Sequence, residues 1–182
     1  MNIQKKISEL GKNAKIASRS LAVVSPEEKN KALKILSKNI LNFTDDILKA
    51  NQKDIENAKR NSLSNPLINR LSLNATSIQN ISKSIEEITK LADPIGNVLN
   101  EWQQPNGLIF KKISVPLGVI GVIYESRPNV TVDATCIAMK AGNSVILRGG
   151  SDSFYSSNKL VEIINYSFSE ASLPNHISQI IP

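Results

Sequence analysis

One cysteine, one histidine and an aromatic content of 4% set the first limits on this 182-residue chain. A lone Cys136 excludes an internal disulfide framework, and with His176 as the sole imidazole there is no Cys/His zinc set. A reducing, cytoplasmic setting is the expectation. So few rings leave no stacking platform for single-stranded nucleic acid. The formal charge of +6 comes from lysines scattered from Lys5 to Lys112, without a dense basic run, so nucleic acid is not expected as a partner. No stretch approaches the length of a membrane span, and MNIQKKISELGKNAK lacks the apolar run of a signal peptide. The G-x-G-x-x-G fingerprint of dinucleotide-binding turns is also missing, because Gly118 and Gly121 fall inside a strand run rather than after it.

The first half has helical period. Ile3, Ile7, Leu10, Ala14, Ala17 and Leu21 recur at spacings of three and four and predict one apolar face. Ser25-Pro26-Glu27-Glu28 is a capping box with proline at the first helical position, and Ala32, Leu33, Leu36 and Ile40 follow as a buried stripe. Thr44 before Asp45-Asp46 predicts a third capped helix carrying Ile47, Leu48, Ile55 and Ala58. Asn65-Pro66 opens a short helix to Leu71; Asn74 caps another, whose Ile78, Ile81, Ile85, Ile88 and Leu91 keep period until Asp93-Pro94. The charged residues of these helices read as a solvated surface.

Asn97 to Gln103 and Leu108 to Val115 flank Pro105-Asn106-Gly107 and predict a hairpin, short of core and suited to an oligomer contact. After Pro116 the period changes. Val119 to Tyr124 and Ser144 to Leu147 are continuous apolar runs, expected for parallel strands covered on both faces, with a third strand at His176 to Ile181. Helices at Val130 to Ala141 and Asp152 to Glu170 connect them, the second capped by Ser151 or Asp152. The fold class is therefore α/β: an N-terminal helical layer, a protruding β-hairpin and a βαβαβ Rossmann-type parallel sheet. Three strands make half of a doubly wound sheet, so a longer parent protein is expected, and poor solubility of the 182 residues alone.

Ligands of such sheets sit at the carboxyl ends of the strands. Glu125-Ser126-Arg127-Pro128-Asn129 follows the first strand and offers a carboxylate, a hydroxyl, a guanidinium and an amide, a set suited to a polar or anionic ligand. Against this stands an Asn helix cap beside a surface arginine. Arg148-Gly149-Gly150-Ser151 follows the second strand, where glycines permit close backbone approach and the helix start behind them favours anions. Cys136, among Ala134, Ile137 and Ala138, reads as a small buried hydrophobe, and His176 as structural or exposed. No triad or metal cluster can be assembled.

VPLGVIGVI (Val115 to Ile123), YESRPNVTVD (Tyr124 to Asp133) and KAGNSVILRGG (Lys140 to Gly150) closely resemble the γ-glutamyl phosphate reductase family, within the aldehyde dehydrogenase superfamily. Weaker agreement runs through Leu21 to Leu33, the AN..D segment (Ala50 to Asp54) and LADPIG (Leu91 to Gly96), so the N-terminal part of a longer enzyme is matched. The resemblance implies an aldehyde-dehydrogenase-like fold. Residues 1–96 would be the helical layer of the cofactor-binding domain, 97–115 part of an oligomerisation flap, and 116–182 the first half of the NADPH-binding α/β domain. It implies a cytoplasmic, homo-oligomeric oxidoreductase of proline biosynthesis. That enzyme reduces L-glutamate 5-phosphate to L-glutamate 5-semialdehyde with NADPH through a cysteine thioester, the cysteine lying beyond residue 182. The 182 residues alone are then expected to be inactive. Asn129 matches the asparagine that helps hold the oxyanion. Arg148 stands where related dehydrogenases place a lysine on the adenosine ribose, and a guanidinium there suits a 2′-phosphate. Glu125, Ser126 and Arg127 match a turn lining the cofactor cleft, and Gly149, Gly150 and Ser151 continue the Arg148 turn. Two alternatives stay open: a nucleotide-binding module or pseudoenzyme, and another aldehyde dehydrogenase branch. Ser-Arg-Pro-Asn in place of the Pro-Trp-Asn of typical aldehyde oxidisers speaks against the latter.

Overall fold

The computed structural model describes residues 3–181. Five helices come first: α1 (Ile3–Leu21), α2 (Pro26–Asn42), α3 (Thr44–Arg60), α4 (Asn65–Leu71) and α5 (Ala75–Lys90). The capping box forms as its sequence demands, with Ser25 Oγ accepting from Glu28 N at 3.2 Å and Glu28 Oε2 accepting from Ser25 N at 3.0 Å. Ala32, Leu33, Leu36 and Ile40 are fully buried. Asn74 Oδ1 caps α5 by accepting from Ser77 N at 2.8 Å. Ile78, Ile81, Ile85 and Ile88 face the core, while Leu91 lies past the helix end and is exposed.

Three helical expectations need correction. Thr44 does not cap α3: a single residue, Phe43, separates α2 from α3, so Thr44 is already wound and its hydroxyl donates back to Leu41 O at 2.7 Å. The face of α1 is buried only at Ala14, Ala17 and Leu21, while Ile3 and Ile7 are exposed, because the helix meets the sheet only through its later turns. Asp54 and Lys29 are not solvated, at 1% and 2% exposure.

β1 (Val98–Gln103) and β2 (Ile109–Ile113) pair antiparallel, with every strand residue exposed. Trp102 lies opposite Phe110 and stacks on it at 5.5 Å, and Glu101 pairs with Lys111 at 3.2 Å. The ribbon therefore holds its shape by cross-strand pairs rather than by a core.

β3 (Val119–Ile123), α6 (Pro128–Lys140), β4 (Ser144–Arg148), α7 (Phe154–Glu170) and β5 (Ser178–Ile180) form the parallel unit, with strand order β3-β4-β5. Alternation decides which side chains face which layer. Val145, Leu147 and Ile180 pack with Ala138 of α6 and Val161 of α7. Ser144 and Gln179 point the other way and donate to the Ala14 and Leu10 carbonyls of α1, at 2.8 and 2.9 Å. β4 is thus covered on both faces as expected, but β3 is not. Its Ile123, at the carboxyl end of this edge strand, is 86% exposed, while α1 packs mainly on the central strand β4. The larger core lies on the helical side, where Phe168, Leu160 and Ile164 of α7 meet Leu36, Ile40 and Ile85. Among the described residues no helix is long and apolar enough to cross a membrane.

Candidate functional site

Parallel pairing brings the two candidate turns together. Ile123 is in register with Arg148, and Tyr124 N donates to Arg148 O at 3.1 Å, so both turns leave the sheet side by side. Ser126 Oγ then donates to Asp152 Oδ2 at 3.1 Å, and Tyr124 Oη sits 2.6 Å from Thr131 Oγ1.

The glycines of the second turn serve this contact. Gly150 has φ −63, which any residue adopts, yet a Cβ there would come within 2.5 Å of Ser126 Oγ and 3.3 Å of Ser126 N. A Cβ on Gly149 would meet Tyr124 Oη at 3.0 Å. Close backbone approach, read from sequence as room for a ligand, is used first by the neighbouring turn. Gly150→Ala is expected to cost about 2 kcal/mol by overpacking and to push the two turns apart. Thermal unfolding checks the cost, and an unchanged melting temperature would refute the contact.

The site residues distribute over three adjoining cavities. Glu125, Ser126, Arg127 and Gly150 line a cleft of about 420 Å³ with Arg70 and Asp152. Arg148, Gly149, Gly150 and Ser151 line a second of about 230 Å³, against Phe154 and Ile180. Asn129 lines a third, of about 300 Å³, between α5 and α6. Gly150 borders the first two, and Arg70 borders the first and third. Arg148 is exposed, with its guanidinium folded back onto the Gly149 carbonyl. Glu125 is held only loosely, 4.0 Å from Arg70.

The helix start behind the glycines is not open to an anion. A turn of 3₁₀ helix, Ser151–Ser153, precedes α7, and no side chain of that turn caps it, which corrects the cap assigned to Ser151 or Asp152. The cap comes from α3. Asp54 Oδ1 accepts from Tyr155 N at 3.0 Å, and Oδ2 accepts from Ser156 N at 2.7 Å and from Ser156 Oγ at 2.5 Å. A protein carboxylate occupies the positive end of the dipole.

Asn129 is not a helix cap. Arg127 holds that position, Pro128 begins α6, and Asn129 Nδ2 donates to Asp133 Oδ2 at 3.2 Å. Ser84 Oγ of α5 donates to the other oxygen, Oδ1, at 3.2 Å. Asp133 was legible four residues beyond Asn129 on one helix face. Arg70 carried no local signal, since it reaches the site only through the placement of α4. Cys136 is fully buried in the helical core, where burial pushes its thiol far above the ordinary value, so it is no nucleophile. His176 is exposed, at φ +66 in the loop before β5. No group of three His, Cys, Asp or Glu side chains gathers to hold a metal among the described residues.

The model of the aldehyde dehydrogenase family matches residues 3–182. Gamma-glutamyl phosphate reductase of Brucella suis biovar 1 is 45% identical over 181 residues, which is 100% of this chain and 43% of that protein. The crystal structure of gamma-glutamyl phosphate reductase from Thermotoga maritima superposes with a TM-score of 0.93 at 38% identity, over 95% of this chain and 42% of that one. The Saccharomyces cerevisiae reductase gives 0.88 at 29% identity, over 95% and 45%. The chain thus spans less than half the length of the relatives it matches.

Proposed function

Because this chain belongs to the aldehyde dehydrogenase family, we propose that it is the cofactor-binding part of a reductase converting L-glutamate 5-phosphate to L-glutamate 5-semialdehyde, with release of phosphate. What carries the reading is the similarity over nearly the whole chain to reductases of that name, in sequence and in fold together. The cofactor in this reading is NADPH, which supplies the hydride. The donor set fits its adenosine end: an exposed guanidinium at Arg148, the Ser151 hydroxyl beside it, and an apolar wall from Phe154 and Ile180. Glu125, Ser126 and Arg127 border the adjoining cleft and line the path of the cofactor.

Asn129 donates its amide to the carbonyl oxygen as negative charge develops there. Asp133 accepts from the same nitrogen and so fixes the plane of the amide. Cys136 is sealed in the core, so the thiolate that attacks the acyl phosphate belongs to the remaining length of such enzymes. The exposed β1–β2 ribbon, with residues 97–115, serves as part of an oligomerisation flap. Residues 1–96 and 116–182 belong to the cofactor-binding domain, in a cytoplasmic homo-oligomer.

The test is run in the reverse direction on the complete protein. Semialdehyde and phosphate should reduce NADP⁺, and omission of phosphate should abolish the rate. Turnover independent of phosphate would instead favour another aldehyde dehydrogenase branch. Arg148→Ala should raise KM for NADP⁺ by roughly 30-fold, the scale of one charge-assisted hydrogen-bonded contact, and KM for NAD⁺ much less. Equal losses for both would remove the 2′-phosphate role.

A further inference from the structure

The cavity that Asn129 lines carries two full charges, a carboxylate and a guanidinium. Asp133 of α6 and Arg70 of α4 share its wall of about 300 Å³ with the small polar side chains Ser77, Asn80 and Ser84 of α5. Neither charge is neutralised in place. The Asp133 carboxylate receives hydrogen bonds from a hydroxyl and an amide, Ser84 Oγ and Asn129 Nδ2, and enters no ion pair among the described residues. Arg70 has Glu125 at 4.0 Å, too long for the bidentate geometry a guanidinium favours. A half-buried carboxylate satisfied only by neutral donors still favours a cation, and a loosely partnered guanidinium still favours a carboxylate. A small cavity offering both is complementary to the ammonium and carboxylate of one α-amino acid.

We propose that this cavity reads the amino-acid head of the substrate, Asp133 taking the α-ammonium and Arg70 the α-carboxylate. The assignment rests on the reductase reading above and extends it to specificity. The geometry is consistent with one molecule reaching both ends of the site. Asn129 Nδ2 and Asp133 Oδ2 are 3.2 Å apart on one wall. A glutamyl skeleton separates its reacting carbonyl from its ammonium by three carbons, roughly 5 Å by standard bond lengths. A substrate lying across the first turns of α6 therefore presents the carbonyl to Asn129 and the ammonium to Asp133. Such a site discriminates strongly, because an analogue lacking the ammonium leaves the carboxylate without its partner.

The experiment compares kcat/KM of the complete protein for L-glutamate 5-semialdehyde and for 5-oxopentanoate, which lacks only the amine, in the phosphate-dependent reverse reaction. Asp133→Asn should collapse the preference for the amino-acid aldehyde by about 30-fold, the scale of a hydrogen bond to a charged group. Arg70→Gln should leave that preference standing and instead reduce the preference for glutamate semialdehyde over 4-aminobutanal, which lacks the carboxylate. Each preference is a ratio within one preparation, so partial unfolding of a variant cancels. An unchanged ratio in Asp133→Asn overturns the proposal. If the wild-type protein oxidises neither aldehyde, the proposed reaction falls, and calorimetric titration of L-glutamate against glutarate decides the cavity alone. Tighter uptake of L-glutamate that depends on Asp133 upholds it, and equal uptake of both overturns it.

Discussion

Asp54→Ala is expected to lower stability by about 3 kcal/mol, because it strips the acceptor from three donors at once, both Ser156 donors being buried. Tyr155 N, Ser156 N and Ser156 Oγ all converge on this carboxylate, which is 1% exposed. In the complete protein the melting temperature should fall by several degrees, each kcal/mol being worth about 2–4 °C in a chain this size or larger. Asp54→Asn should lose less, since one oxygen remains for Tyr155 N. The two variants also separate by pH. Burial raises the Asp54 pKa above the ordinary 3.8, and the hydrogen bonds from Ser156 and Tyr155 only partly offset it. Just above pH 3.8 the folded protein therefore binds more protons than the unfolded chain, and stability falls as pH rises through that window. Asp54→Asn should abolish this dependence, and a wild-type-like slope in that variant would place its origin elsewhere. The effect on function follows the structure. Asp54 holds the start of α7 against α3, and the turn bearing Arg148 and Ser151 leads directly into α7, so on the proposed reading the affinity for the nicotinamide cofactor should weaken as well.

The AN..D segment shows how far a sequence can be read and where reading stops. Its helix was legible from period, and its likeness to a known family was legible as a string. Its role was not, because the partners lie on other elements, 20 to 105 residues away. Asn51, on the same face as Asp54, donates to Leu71 O and to Ser156 Oγ, each at 2.9 Å, and accepts from Leu73 N at 2.8 Å. Two polar side chains on α3 thus join α7 to the α4–α5 loop beside Arg70, and with it the cavity holding Asn129. Local signals did fix local features: the Ser25 box, the Asn74 cap, the helix stop at Gly142 (φ +73), and the period change that announced the parallel strands. What depends on tertiary placement was misread or missed. Thr44 had the composition of a cap but not the linker length for one. The α7 cap was sought next to the helix and comes from another one. The β3 run has the apolar continuity of a strand covered on both sides, yet Ile123 faces outward, and nothing in five residues tells which layer is present. That the two candidate turns leave the same end of the sheet was legible, because the order of parallel strands is topological. The way those turns touch, through Gly150 and Ser126, required coordinates.

A second buried charge was equally hidden in a surface-like sequence. Lys29 sits in the first turn of α2, between Glu28 and Asn30, and reads as solvent-facing; its ammonium instead pairs with Asp93 and donates to the Lys140 carbonyl at 3.3 Å, closing the C-terminal end of α6. Lys140 Nζ in turn donates to Asn30 Oδ1 at 2.5 Å and to Thr89 O at 3.4 Å. The cluster ties α2, the end of α5 and the end of α6 to the segment entering the hairpin, where Asp93 Oδ1 accepts from Ile95 N at 2.9 Å. Lys29→Met should therefore cost about 3–5 kcal/mol, the scale for removing one partner of a buried ion pair. Adding Asp93→Asn should recover much of that loss, since it removes the stranded charge while keeping the acceptor for Ile95 N. Additive losses in the double variant would show that packing rather than charge pairing holds this corner. The pH response offers an independent check. Burial chiefly, with repulsion from Lys29, lowers the Lys140 pKa below the ordinary 10.5 against the pull of Asp93. In the window below 10.5 the unfolded chain then binds more protons than the folded one, so wild-type stability rises with pH there. Lys29→Met removes the repulsion and leaves Asp93 to act on Lys140 alone, so this alkaline rise should shrink, and a steeper rise would contradict the coupling.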